Sequence, residues 1–74
     1  MQEVVEFYVV VDMNTLEFLG FGGTRETILS DAERFELYEQ AEEAIKDFQT
    51  PYRIYRCEQT VKIVGRAREW VGGN

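Results

Sequence analysis

Residues 37–49, LYEQAEEAIKDFQ, constrain what this 74-residue chain can fold into more than any other stretch. At about 100° per residue, Leu37, Tyr38, Ala41, Ala44, Ile45 and Phe48 fall within one arc of about 120°. Glu36, Glu39, Glu43 and Asp47 fall within about 80° on the opposite side. The pattern predicts one amphipathic helix, buried along one side and lined with carboxylates along the other. No other stretch shows such an arc, so the rest of the core has to come from strands.

Strand patterns flank the helix on both sides. Residues 4–12 are rich in β-branched and aromatic side chains and hold no glycine or proline. Val5, Phe7, Val9 and Val11 make one face, and Val4, Tyr8 and Val10 make the other face apolar too. Asp12, Met13, Asn14 and Thr15 supply a turn, because Asp and Asn bond the backbone of a tight reversal. Residues 15–21 then return as a second strand. Ser30-Asp31-Ala32-Glu33 is a capping-box pattern that can open a helix. A helix running on from there to Phe48 would swing Ala32 and Phe35 onto the acidic side, so a short extended or turn-like piece at 32–35 and a change of direction near Glu36 are expected. Pro51 closes the helical region. Residues 52–57 and 59–64 read as strand, either as two strands or as one that bends. Residues 66–71 read as a short strand or arm, and 72–74 as a loose end.

These elements predict an α+β domain over residues 1–71, with an antiparallel sheet of three to five strands packed on one principal helix. The expected core is Val5, Phe7, Val9, Val11, Leu16, Phe35, Ala41, Ile45, Phe48 and Ile54. A chain this short buries a modest fraction of its surface. A lone cysteine, Cys57, closes no disulfide within it, and the absence of histidine removes the usual zinc sets. Folding therefore rests on apolar burial, with self-association as a further support.

Composition narrows the chemistry. The net charge is −6, divided unevenly: residues 1–50 carry twelve acids and three bases, and residues 51–74 carry two acids and five bases. Such a surface repels nucleic acid and anionic membrane and attracts basic proteins. The N-terminus carries acids where a signal peptide has its basic region, and the apolar run 7–11 is far too short to span a bilayer, so a cytoplasmic protein is expected. Without histidine, general acid–base work would fall to carboxylates, and the clustered ones sit on a face expected to be solvated. Neither catalytic residues nor a cofactor are expected. Cys57 reads as semi-buried filler, since Arg56 points to the opposite strand face. Metal binding by Glu39, Glu43 and Asp47 would be weak without a shaped loop. Gly20-Phe21-Gly22-Gly23-Thr24 lacks the Gly-Lys-Ser/Thr of a phosphate loop and reads as an ordinary loop or bulge. The arginines between Arg53 and Arg68, interleaved with Tyr52, Tyr55 and Trp70, are outweighed by the acidic half, so nucleic acid is not expected as the direct ligand.

Two surfaces remain as candidates. The carboxylates Glu36, Glu39, Glu43 and Asp47 on a rigid helix suit the arginine- and lysine-lined groove of a protein partner. The sheet face not covered by the helix, with Val4, Tyr8 and Val10 joined by Tyr55 and Trp70, suits a homodimer.

The run FYVVVD…TLEFLG…LSDAERFELYEQAEEAI…YRIYRCE resembles small acidic accessory proteins of phages and mobile elements. The matching residues are 7–11, 16–19, 31–35, 39–45 and 52–55, within 7–58. The resemblance implies a ββαβ-type module. It also implies a non-enzymatic inhibitor of a host nucleic-acid-binding enzyme, such as a polymerase, a restriction system or a CRISPR effector, which suits the acidic helix. The chain departs from that pattern at Leu37, where a small capping residue is usual, and in continuing past the expected last strand. A more distant similarity is to HicB-type antitoxins, which also place a Glu-Ala-rich helix after a hairpin, although the Pro-Gly segment that precedes that helix is absent.

Overall fold

The apolar run of residues 7–11 becomes the centre of the fold because both of its faces are covered. The computed structural model describes residues 2–66. Strands β1 (Gln2–Asp12), β2 (Phe18–Leu19), β3 (Arg25–Glu26) and β4 (Tyr52–Lys62) form one sheet in the order β3-β2-β1-β4, antiparallel at every junction. One α-helix, α1 (Tyr38–Ile45), packs against it. The protein is thus a small α+β fold.

Alternation along β1 sorts its side chains. Phe7 and Val9 pack with Ala32 and Phe18, beside Cys57. The Arg34 guanidinium lies 4.2 Å from the Phe7 ring centroid on that side. On the other face, Val10 packs with Leu19 and with Ala41 of α1, ringed by Tyr8, Phe35, Ile45, Tyr52 and Ile54. Val9 and Val10 are the two largest fully buried side chains among the described residues. Burial stops at Phe7, and residues 2–6 are exposed on both faces.

The connections explain the departures from the expected elements. The second strand shrinks to Phe18–Leu19 because residues 13–16 are spent on a turn built around Asp12. The buried Asp12 carboxylate accepts the Asn14 N–H at 2.8 Å and the Thr15 N–H at 3.4 Å, and pairs with Arg25 at 3.3 Å. Leu16 closes this turn in the left-handed region, at φ 62°, with its side chain 68% exposed. It is therefore not a core residue. Only glycine and, less readily, asparagine or aspartate adopt that backbone without steric cost. Leu16→Asn should stabilise the fold by about 0.5–1 kcal/mol, visible as a rise of a few degrees in melting temperature.

Gly20 to Thr24 make the turn between β2 and β3, with Gly22 and Gly23 at φ 76° and 85°. Gly20 is extended, but a Cβ there would meet Thr24 Oγ1 and come within 2.7 Å of Glu26 Cγ, so any larger residue has to displace those two side chains. The capping-box pattern at Ser30 yields a single 3-10 turn, Leu29–Asp31, without a side-chain cap. The chain then extends, as expected. Ala32 bridges Gly20, and Phe35 exchanges both backbone hydrogen bonds with Tyr8, at 2.8 and 2.9 Å. Residues 52–62 form one continuous strand, paired with β1 from Gln2 opposite Lys62 to Asp12 opposite Tyr52.

The helix is shorter than 37–49. Leu37 is extended, at φ −122° and ψ 144°, and the chain leaves the helix after Lys46. Phe48 is therefore 43% exposed and lies against Tyr52, with ring centroids 5.1 Å apart and the planes tilted by 49°. Val5 is also exposed, beyond the end of the covered region. Phe35, Ile45 and Ile54 are half-buried against the Val10 cluster.

Candidate functional site

A solvent-facing carboxylate row needs a helix that is anchored from below and started cleanly. Ala41, fully buried, supplies the anchor on Val10 and Leu19. Gln40 supplies the start: its Oε1 accepts the backbone N–H groups of Glu36 and Leu37, each at 3.1 Å. This is the reciprocal half of a capping box; the other half is missing, because Leu37 has no side-chain oxygen to accept a first-turn N–H.

The four predicted carboxylates are all exposed, but they do not form one helical ridge. Glu39 and Glu43 lie one turn apart on α1, whereas Glu36 precedes the helix and Asp47 follows it. Glu39 in the first turn complements the positive end of the helix dipole. Glu42 is exposed on the same helix and enlarges the acidic surface. Lys46 bonds Glu43 at 2.6 Å, three residues away. That pairing relieves repulsion at one end of the row and leaves Glu39 and Glu42 as its centre.

The predicted dimer face comes apart. Val4, Tyr8 and Val10 share a face of β1, but it is the face that α1 covers, and Val10 is sealed beneath Ala41. Tyr8 is half-buried, with the Tyr38 ring edge-on at 6.0 Å, while Val4 is 57% exposed beyond the helix. Tyr55, opposite Val9 in the ladder, lies on the other face. Trp70 lies outside the described residues, as do residues 67–71 of the expected arm and the 72–74 end.

Where β1 and β4 leave the body, a charged cluster holds them together. Glu6 and Glu58 stand directly opposite, a destabilising like-charge pair if left alone. Arg56 bridges them, with Nε 3.1 Å from Glu6 and Nη2 3.0 Å from Glu58. The Tyr8 hydroxyl donates to Glu6 at 3.0 Å, and this bond to a carboxylate holds its pKa above the usual phenol value. The same Glu6 contact raises the Arg56 pKa further above its ordinary value. Both shifts preserve the charge states found at neutral pH, which is how a structural cluster behaves.

Grooves on this surface are open. The one beside α1 is lined by Tyr38, Glu42, Ile45, Lys46, Tyr52 and Arg53. Among the described residues, no group of three or more Cys, Asp or Glu side chains is arranged to hold a metal ion. No described helix is long and apolar enough to cross a membrane. No family model, curated protein or solved structure matches this chain.

Proposed function

We propose that this chain is a non-catalytic protein-binding module that presents its acidic helix face to the basic surface of a protein partner. The observation that carries this reading is the exposed cluster Glu36, Glu39, Glu42, Glu43 and Asp47 on and around a helix fixed to the core by Ala41, with Lys46 the one base among residues 36–49. Glu39, Glu42 and Glu43, on a helix fixed to the core, lose little backbone freedom on binding, and with Glu36 and Asp47 beside them they offer the negative charge that a cationic groove binds. The partner class that fits is an enzyme with a cationic nucleic-acid groove, and occupation of that groove would inhibit it. Such a module needs neither cofactor nor metal, and works where its partner does, in the cytoplasm.

The test is affinity capture from a bacterial lysate at low and high salt, comparing wild type with the Glu39→Lys/Glu43→Lys variant. A retained nucleic-acid-binding enzyme should bind the variant about tenfold more weakly and with a flatter salt dependence. Equal affinity and equal salt slope for the two proteins would reduce the acidic face to solvated surface.

A further inference from the structure

Among the described residues, none packs over the outer half of the β1–β4 ribbon. Residues 2–6 and 58–62 pair with each other and are exposed throughout, and Val4, Val5, Val61, Ile63 and Val64 present apolar surface to solvent. A two-stranded ribbon in water is marginal, and three or more strands are needed for independent stability. The edges are open as well. Because Tyr8 bonds Phe35 through both backbone groups, the even residues of β1 point away from β4, and its odd residues bond β4. In β4 the odd residues therefore face β1. The N–H and C=O groups of Tyr52, Ile54, Arg56, Glu58, Thr60 and Lys62 line its outer edge, where no described strand lies.

We infer that two copies of this chain pair antiparallel through the outer edges of β4, with the Cys57 residues facing each other across the two-fold axis. Three features of β4 select this register. Its midpoint is residue 57, so centring there overlaps all eleven residues. That register sets Arg56 opposite Glu58 of the second copy, twice, whereas centring on 56 or 58 would oppose two arginines or two glutamates. It also lays the outer tip of each ribbon beside the folded body of the other copy, placing Thr60 opposite Ile54, Gln59 opposite Tyr55 and Val61 opposite Arg53. The edge charges that would deter random strand addition thus become the register marks for one partner. This inference is independent of the acidic-face reading.

The pairing has a built-in reporter. Residue 57 would occupy a non-hydrogen-bonded pair, in which opposing Cα atoms stand about 4.5 Å apart, within the range of a disulfide. Under copper–phenanthroline each Cys57 thiol gives up its proton and one electron to Cu(II), and the two sulfurs join. Sedimentation of the full chain should show a dimer, and oxidation should yield a covalent dimer absent from Cys57→Ser. Thr60→Pro removes an N–H that points away from β1, so the monomer keeps its ladder and its far-UV circular dichroism. The same change should weaken the dimer on the order of tenfold or more and abolish the crosslink. A chain that stays monomeric at hundreds of micromolar would overturn the inference. So would a dimer that survives Thr60→Pro and resists crosslinking at Cys57.

Discussion

Val10→Ala should destabilise the fold by about 2–3 kcal/mol, while Val4→Ala, six residues earlier on the same strand and face, should change stability by less than about 0.5 kcal/mol. Both substitutions delete the same two methyl groups. Val10 is 0% exposed and lies where Leu19, Ala41 and the half-buried Phe35, Ile45 and Ile54 converge, so its removal leaves a cavity between helix and sheet. The small Ala41 lets α1 approach the sheet closely, so the Val10 methyl groups are enclosed by helix and sheet together. Val4 has no such enclosure. For a domain of this size each kcal/mol moves the melting temperature by roughly 4–8 °C, so the Val10 variant should melt about 10–20 °C lower. Thermal unfolding of the two variants side by side checks the claim. Equal losses would mean that the outer ribbon is packed as tightly as the body; pairing through the edge of β4 covers neither face of the ribbon and leaves the expected contrast unchanged.

The contrast between Val4 and Val10 also marks what the sequence carries and what it omits. Period-2 alternation and β-branched content identify β1, and an acidic–apolar wheel identifies α1, because both depend on near neighbours. Neither tells where a covering element stops. Val4 and Val10 look alike in the sequence, yet the helix reaches one and not the other. Leu16 and Phe48 fail as core residues for a backbone reason. Each lies just beyond a regular element, and the turn chemistry of Asp12 or the end of α1 turns the side chain outward. The extended piece 32–35 was legible because a continuous helix would have turned Ala32 and Phe35 onto its acidic side, away from the buried arc.

At the surface, the acidic residues could be placed because charge needs no partner to be exposed, although their arrangement shifted once α1 ended at Ile45. The sheet surface was misplaced, since it was assigned by side-chain face when the open feature is a backbone edge. One signal of that edge was present. Residues 52–62 match β1 in length, carry charges on both faces and contain no turn residue to split them, as suits a long edge strand. Strand order is set by long-range pairing and has no local trace. The sequence therefore could not say which side of β4 would be free.

Asp12→Ala should cost about 2–3 kcal/mol, close to the Val10 variant, although the side chain is polar and stands at the end of a strand. Its carboxylate is almost wholly buried and does three things at once: it accepts the Asn14 and Thr15 N–H groups and pairs with Arg25. Alanine orphans both turn donors and removes the counter-ion from Arg25. Because Arg25 is itself 41% exposed and lies 5.3 Å from the Tyr52 ring, water and that ring compensate part of the loss, so the cost stays below that of an unpaired buried charge. Asp12→Asn separates the roles. It keeps an acceptor for the turn and gives up the charge, so it should cost about 1 kcal/mol. Arg25→Gln, which gives up the charge from the other side, should match it. If the asparagine variant were as damaged as the alanine variant, the ion pair to β3 would be the main contribution. If asparagine were neutral, the turn would carry the whole effect, and Asp12 would matter because it ends β1 in a reversal tight enough to set β2 beside it.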